Sequence, residues 1–314
     1  MYPVLLTLGP LPISSFGLLL VIAFAFAVFV FWQISRVYEL EEEKLIDLAI
    51  LTFVGGLLGA RLVFVLFHAS SFYDLSQVLL IQKYPGMSFW GGLAGGLITF
   101  RLYVSRIGLH FWQVVDFAAV SLVLATSLGD IGCFLGGCFY GRVSTLPWAL
   151  PVVGVIGKRF PIALLEALIL LLFYFSLKKQ ALRFHFKGRI LASALIFLGG
   201  LKFITEFFRG DIREGVSFGG LFSGHLFSLA VMTLGTGIFY TRGKRSFKAD
   251  LQYLFSLLVS SKRRKALLLS FQKSCYNYRV GFTFWLQGFF KRSTLWPKIL
   301  RKKLNVKPTP TNYQ

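Results

Sequence analysis

The residues of this chain best suited to chemistry are ionisable side chains in otherwise apolar surroundings: Arg61, Asp116, Glu166, Lys202, Glu206 and His225. Each lies in an apolar run, where a charge is costly and normally faces protein or a water-filled cavity. Taken singly, each is explained by a structural pair, such as Arg61 with Asp116. Taken together, over five apolar runs, they suggest a polar chamber. Lys202 and Glu206 stand four apart and share a helix face, and Arg209 follows three residues later. The run therefore reads as a charged ladder climbing to a loop. A proton relay, an anion site and plain structural support all fit it.

Two glycine clusters lie near these charges. Ser88-Phe-Trp90-Gly91-Gly92-Leu-Ala-Gly95-Gly96 opens one apolar run, and a packing seam explains it well. The second, from Gly129-Asp130 through Gly132-Cys133 and Gly136-Gly137-Cys138 to Gly141-Arg142, is denser and more polar. Glycines of that kind let backbone N–H groups reach a ligand. Irregular backbone at membrane depth is tolerated where it lines a cavity, so this stretch is expected to be non-helical. The cysteines are Cys133, Cys138 and Cys275. They make no CxxC motif and no disulfide framework. Cys133 and Cys138 are read as small apolar fillers, with pairing or metal binding as the alternative.

The elements that must position these residues are apolar helices. Of the 314 residues 55% are hydrophobic and only 15% charged, a balance with which a soluble protein cannot cover its surface. Candidate spans fall at about 13–33, 46–67, 87–105, 113–129, 161–177, 189–207 and 221–240, giving an all-α, seven-helix membrane protein. Met1–Leu11 holds no Lys or Arg, so the first run is expected to be a permanent span. An odd count puts the termini on opposite sides. With the N-terminus outside, 13 cations near the membrane fall inside and 6 outside, which selects N-out and C-in. Of the six outer cations, Arg142, Lys158, Arg159, Arg209 and Arg213 lie in the loops 130–160 and 208–220. Scatter is the plain reading of these cations; the sharper one is that they meet an anionic group, such as a lipid phosphate, at the outer surface.

Charge divides the chain into a body, 1–240, and a tail, 241–314. Of 34 Lys and Arg, 17 lie in the tail beside one acid, Asp250. Basic clusters there alternate with apolar stretches, as in amphipathic helices on an anionic inner leaflet. Nucleic acid is the disfavoured partner.

Seven segments, in order, resemble the prolipoprotein diacylglyceryl transferase family: Gly59-Ala-Arg61-Leu; Gly86-Met-Ser-Phe-Trp-Gly91-Gly92-Leu; Val115-Asp116-Phe; Ile131-Gly132 through Gly141-Arg142; Pro161-Ile-Ala-Leu164-Leu-Glu166; Phe203-Ile-Thr-Glu206-Phe-Phe-Arg209-Gly-Asp211; and Ser223-Gly224-His225-Leu-Phe-Ser228. They cover roughly residues 10–240. The resemblance implies a seven-helix enzyme of the bacterial cytoplasmic membrane, without cofactor or metal. Its substrates are phosphatidylglycerol and the signal peptide of a prolipoprotein with its lipobox cysteine. It also implies site residues: Lys202, Glu206 and Trp90 in catalysis, with Trp90 at the position of the family's base. Arg142, Arg209, Gly141, Asp130 and Cys133 fall at lipid- and phosphate-binding positions. Four of these depart from the pattern. Trp90 replaces a His or Tyr, Asp130 an Arg, Cys133 an Asn and Lys202 an Arg. A catalytically silent member that binds lipid or a partner protein is the second reading, and a transporter or channel the third.

Overall fold

The computed structural model describes residues 4–8, 11–69, 86–152, 155–183, 185–210 and 223–244, with positions 246, 247, 250, 252 and 269 beyond them. By its internal contacts the chain divides into Met1–Arg245 and Ser246–Gln314. The basic clusters of the second unit, together with Lys83 and Arg213, lie outside the described residues.

Seven helices are described: α1 Ser15–Val37, α2 Glu42–Phe67, α3 Phe89–Arg106, α4 Phe111–Gly136, α5 Ile162–Ala181, α6 Arg189–Glu206 and α7 Ser223–Gly243. Each coincides with one apolar run of the sequence. α1, α2 and α4 are long and apolar enough to cross a membrane. The architecture is that of an all-α membrane protein with two short antiparallel additions. β1 (Val4–Leu8) pairs with β2 (Leu11–Ser14), and β3 (Leu150–Pro151) with β4 (Lys158–Arg159). Ser14 ends the first hairpin and caps α1, its Oγ accepting from the Gly17 N–H at 3.1 Å.

α4 is the central element, packed by α1, α5 and α6, while α2 pairs with α3 and α6 with α7. The core runs through Val114, Phe117, Val120 and Val123 of α4, Leu170 and Leu177 of α5 and Ile190 of α6. Large apolar side chains such as Leu58, Leu62, Ile98, Leu122 and Leu172 face outward, as they must where the solvent is hydrocarbon.

The first glycine cluster is a seam, as its spacing suggests. Gly55 and Gly59 of α2 interlock with Gly91 and Gly95 of α3. A Cβ on Gly95 would lie 2.9 Å from the Gly59 Cα and closer still to the Gly55 carbonyl. Arg61 supports the entry to this seam by donating to the Gly86 carbonyl at 3.0 Å, and Ser88 N–H donates to the Ala60 carbonyl.

Two expectations are corrected here. Asp116 does not pair with Arg61. Its carboxylate accepts from the Gly188 and Leu191 N–H groups at 2.7 and 2.9 Å, which caps the start of α6 from a neighbouring helix. His185 adds Nε2 at 3.5 Å from the same carboxylate. Nor is the second glycine cluster irregular from its start. α4 carries its helical path through Gly129, Gly132 and Gly136. It needs small residues there because Gly132 and Gly136 lie against Leu19 and Phe16. The helix breaks only at Gly137, whose φ of +75° makes it the left-handed cap. Cys138 N–H then bonds the Cys133 carbonyl at 3.0 Å.

Candidate functional site

The chain after Gly137 is held by backbone bonds at the end of the body where α4 stops and α5 begins. Gly141 N–H donates to the Phe160 carbonyl, Phe160 N–H to the Arg142 carbonyl, Arg142 N–H to the Phe208 carbonyl and Gly210 N–H to the Tyr140 carbonyl, all at 2.9–3.1 Å. Residues 140–142 are thus stitched between the strand leading into α5 and the segment leaving α6. Gly141 has no room for a Cβ, which would meet the Phe160 backbone. The glycine is required by close approach rather than by φ.

Those bonds fix Phe139, whose ring carries two cations. Lys202 Nζ lies 5.3 Å and Arg209 Cζ 5.4 Å from its centre. Arg159 sits 5.4 Å over the next ring, Tyr140. Lys202 is also the hub of an ion cluster from three helices. Its ammonium donates to Glu166 of α5 and, at 3.4 Å, to Asp130 Oδ1 of α4. Glu166 is fully buried and Asp130 nearly so, while the Lys202 side chain keeps 39% of its surface exposed. Asp130 Oδ2 is buried and has no hydrogen bond among the described residues.

Arg209 donates to Glu206 at 3.1 Å. The ladder read from the sequence is therefore not one helix face. α6 ends at Glu206, two turn residues follow, and Arg209 joins the backbone bridge to Gly141. Gly224, in the first turn of α7, lies against the Glu206 carboxyl, where a Cβ would come within 2.7 Å of it. The partial positive charge at that helix start suits an acid. His225 is buried between the Phe203 and Phe207 rings.

The structure thus gathers Lys202, Glu206, Arg209, Asp130 and Gly141 in one charged cluster, with Arg142 tied to it by its backbone. The Arg142 side chain is exposed. Cys133 is half-buried, and its thiol interacts with that of Cys138. Both are free cysteines, and no group of metal-ligating side chains occurs among the described residues. Trp90 stands apart, with its ring against Phe89 and Phe227 of α7. Asp116 lies about 21 Å from Asp130 along α4, at 1.5 Å per residue, so it belongs to the other end of the body. Sequence reasoning missed Phe139 as the shared platform and Glu166 as the principal partner of Lys202. Glu166 did carry a signal, as an acid in a short apolar run; Phe139 carried none.

The prolipoprotein diacylglyceryl transferase family model matches residues 3–241. A phosphatidylglycerol–prolipoprotein diacylglyceryl transferase of Bordetella avium is 36% identical over 258 residues, covering 78% of this chain and 96% of that protein. One from Idiomarina loihiensis is 35% identical over 250 residues, with 76% and 91% covered. One from Clostridium tetani is 28% identical over 249 residues, with 76% and 97% covered. The matched stretch takes in all seven helices and every residue of the charged cluster, and the chain belongs to the prolipoprotein diacylglyceryl transferase family.

Proposed function

We propose that this protein transfers the diacylglyceryl group of phosphatidylglycerol to the lipobox cysteine thiol of prolipoproteins. The reaction forms a C–S bond at the glyceryl carbon and breaks that carbon's C–O bond to phosphate. Glycerol phosphate leaves with the electron pair, and the thiol proton passes to a base. Two requirements follow: cations where charge gathers on the departing phosphate, and an acceptor for the proton of the attacking thiol.

The observation that carries the reading is the placement of Lys202 and Arg209 on one aromatic platform beside the Gly141–Arg142 backbone. Lys202 and Arg209 receive the phosphate, the exposed Arg142 joins them, and Gly141, closed against Phe160, holds the segment that carries Arg142. Glu206 orients Arg209 and serves in proton transfer. Trp90 holds no basic nitrogen, its indole being a donor only. Its ring packs against Phe227, outside the charged cluster.

In this reading all seven helices span the bacterial cytoplasmic membrane, N-terminus out and C-terminus in. The charged cluster then lies at the outer surface, where signal peptides emerge, and Asp116 lies at the inner one. Residues 1–240 form the catalytic body. The basic tail, 241–314, rests on anionic lipids of the inner leaflet.

Replacement of the family's residues at Trp90, Asp130, Cys133 and Lys202 favours a second reading, a catalytically silent lipid-binding relative. Purified protein, phosphatidylglycerol and a lipobox peptide decide between the two. A thioether-linked diacylglyceryl peptide is the expected product. Its absence from well-folded protein that still binds the lipid would establish the silent relative.

A further inference from the structure

Lys202 contributes one ammonium with three N–H donors on a flexible four-carbon stem. A lysine of this kind has no preset direction, unlike the planar fork of arginine. Here it is held from two sides. Glu166, buried on α5, takes one donor, and Asp130 Oδ1, on α4, takes a second at 3.4 Å. The ammonium also lies over the Phe139 ring, 5.3 Å from its centre. The side chain nonetheless remains 39% exposed, which leaves its third donor free of these two acids, and Arg209 shares the same Phe139 ring. Two carboxylates on one lysine also leave the trio with an excess negative charge in a poorly screened place. That is an unfavourable arrangement for stability alone, and it calls for a nearby cation or another purpose.

We propose that Asp130 is a positioning residue: with Glu166 it aims the Lys202 ammonium so that its third N–H meets the lipid phosphate beside Arg209. Asp130 is then not itself a phosphate ligand, since its carboxylate would repel the anion if it faced it directly. Arg209 already pairs with Glu206, which leaves the exposed Arg142 as the cation that offsets the negative charge of the trio. This proposal rests on the transferase reading for its lipid. Its geometry is a statement about lipid binding and can be tested without turnover.

The test uses the full-length protein in detergent micelles. Binding of a short-chain phosphatidylglycerol is measured first, then transfer to a lipobox peptide. Asp130→Asn keeps the shape and drops the charge. It is expected to weaken lipid binding about tenfold and to raise the KM for phosphatidylglycerol by a similar factor, leaving the KM for the peptide unchanged. Asp130→Glu should restore most of the affinity. Asp130→Arg places a cation against Lys202 and should lower binding further. A purely structural Asp130 would show a lowered melting temperature with unaltered lipid affinity in whatever protein remains folded, and that result would overturn the proposal. So would an Asp130→Arg protein that binds phosphatidylglycerol better than the parent, because the position would then face the phosphate itself. If the parent binds lipid but transfers nothing, the transferase reading fails, while the binding series still judges the role of Asp130.

Discussion

Lys202 shows both what residue spacing reveals and where it stops. Its place in an apolar run marks it as functional or paired, but Glu206, four residues on, is only its local neighbour. The acids that hold it come from α4 and α5, and no spacing along one helix can disclose them. Removing the ammonium leaves Asp130 and Glu166 buried and uncompensated. Lys202→Met should therefore destabilise the protein by about 3–5 kcal/mol, read as a fall in the melting temperature in detergent. Adding Glu166→Gln should recover part of the loss. At the opposite end, His185 makes a different prediction. One ring nitrogen lies 2.6 Å from the Arg183 carbonyl and must donate there, so the other donates to Asp116 only in the protonated ring. The bond to Asp116 outweighs burial and raises the His185 pKa above its ordinary 6.5. A raised folded-state pKa gives stability that is complete below about pH 6.5 and fades as pH climbs through the higher folded value. Melting temperature should thus decline from pH 6 to 8, and His185→Gln should flatten that slope.

Helices were the most legible elements, because apolar runs bounded by charge and glycine set their length and place. Their partners were less so. The glycines of α3 marked a packing seam, since residues four apart line one face and only glycine admits backbone contact, but they did not name α2 as its partner. Gly95→Val should overpack the seam and cost about 1–3 kcal/mol, seen as a lower melting temperature and faster cleavage by thermolysin. Gly56→Ala, whose added carbon finds its nearest neighbour at 3.4 Å, should be tolerated by the same measures. The end of α4 was misread because dense glycine resembles loop composition. The small residues there instead let α1 pack against a continuing helix. Among the glycines from 129 to 141, Gly137 alone has the left-handed conformation, so Gly137→Ala should cost about 1 kcal/mol, whereas Gly129→Ala, with open space around it, should not.

At the level of the molecule, the asymmetry of charge predicts sidedness. A membrane-impermeant maleimide should modify the exposed Cys138 in intact spheroplasts of a Cys275→Ser strain. A cysteine placed at Ser246, in a background without the native three, should react only after lysis. Labelling in the reverse order would invert the orientation and remove the site from the face where its peptide substrate arrives. The sequence predicts this sidedness through its cations, but does not reveal how the helices brace one another. That depends on Asp116 and Asp130, two acids on α4 that both grip α6. The first holds the backbone where α6 starts, and the second holds Lys202 near its end. A rod bolted to its neighbour at two separated points can neither slide nor roll against it. Making way for a two-tailed lipid should then fall to helices that no acid of α4 bolts down: α7 and the α2–α3 pair, which meet where Phe227 packs against Phe89 and Trp90.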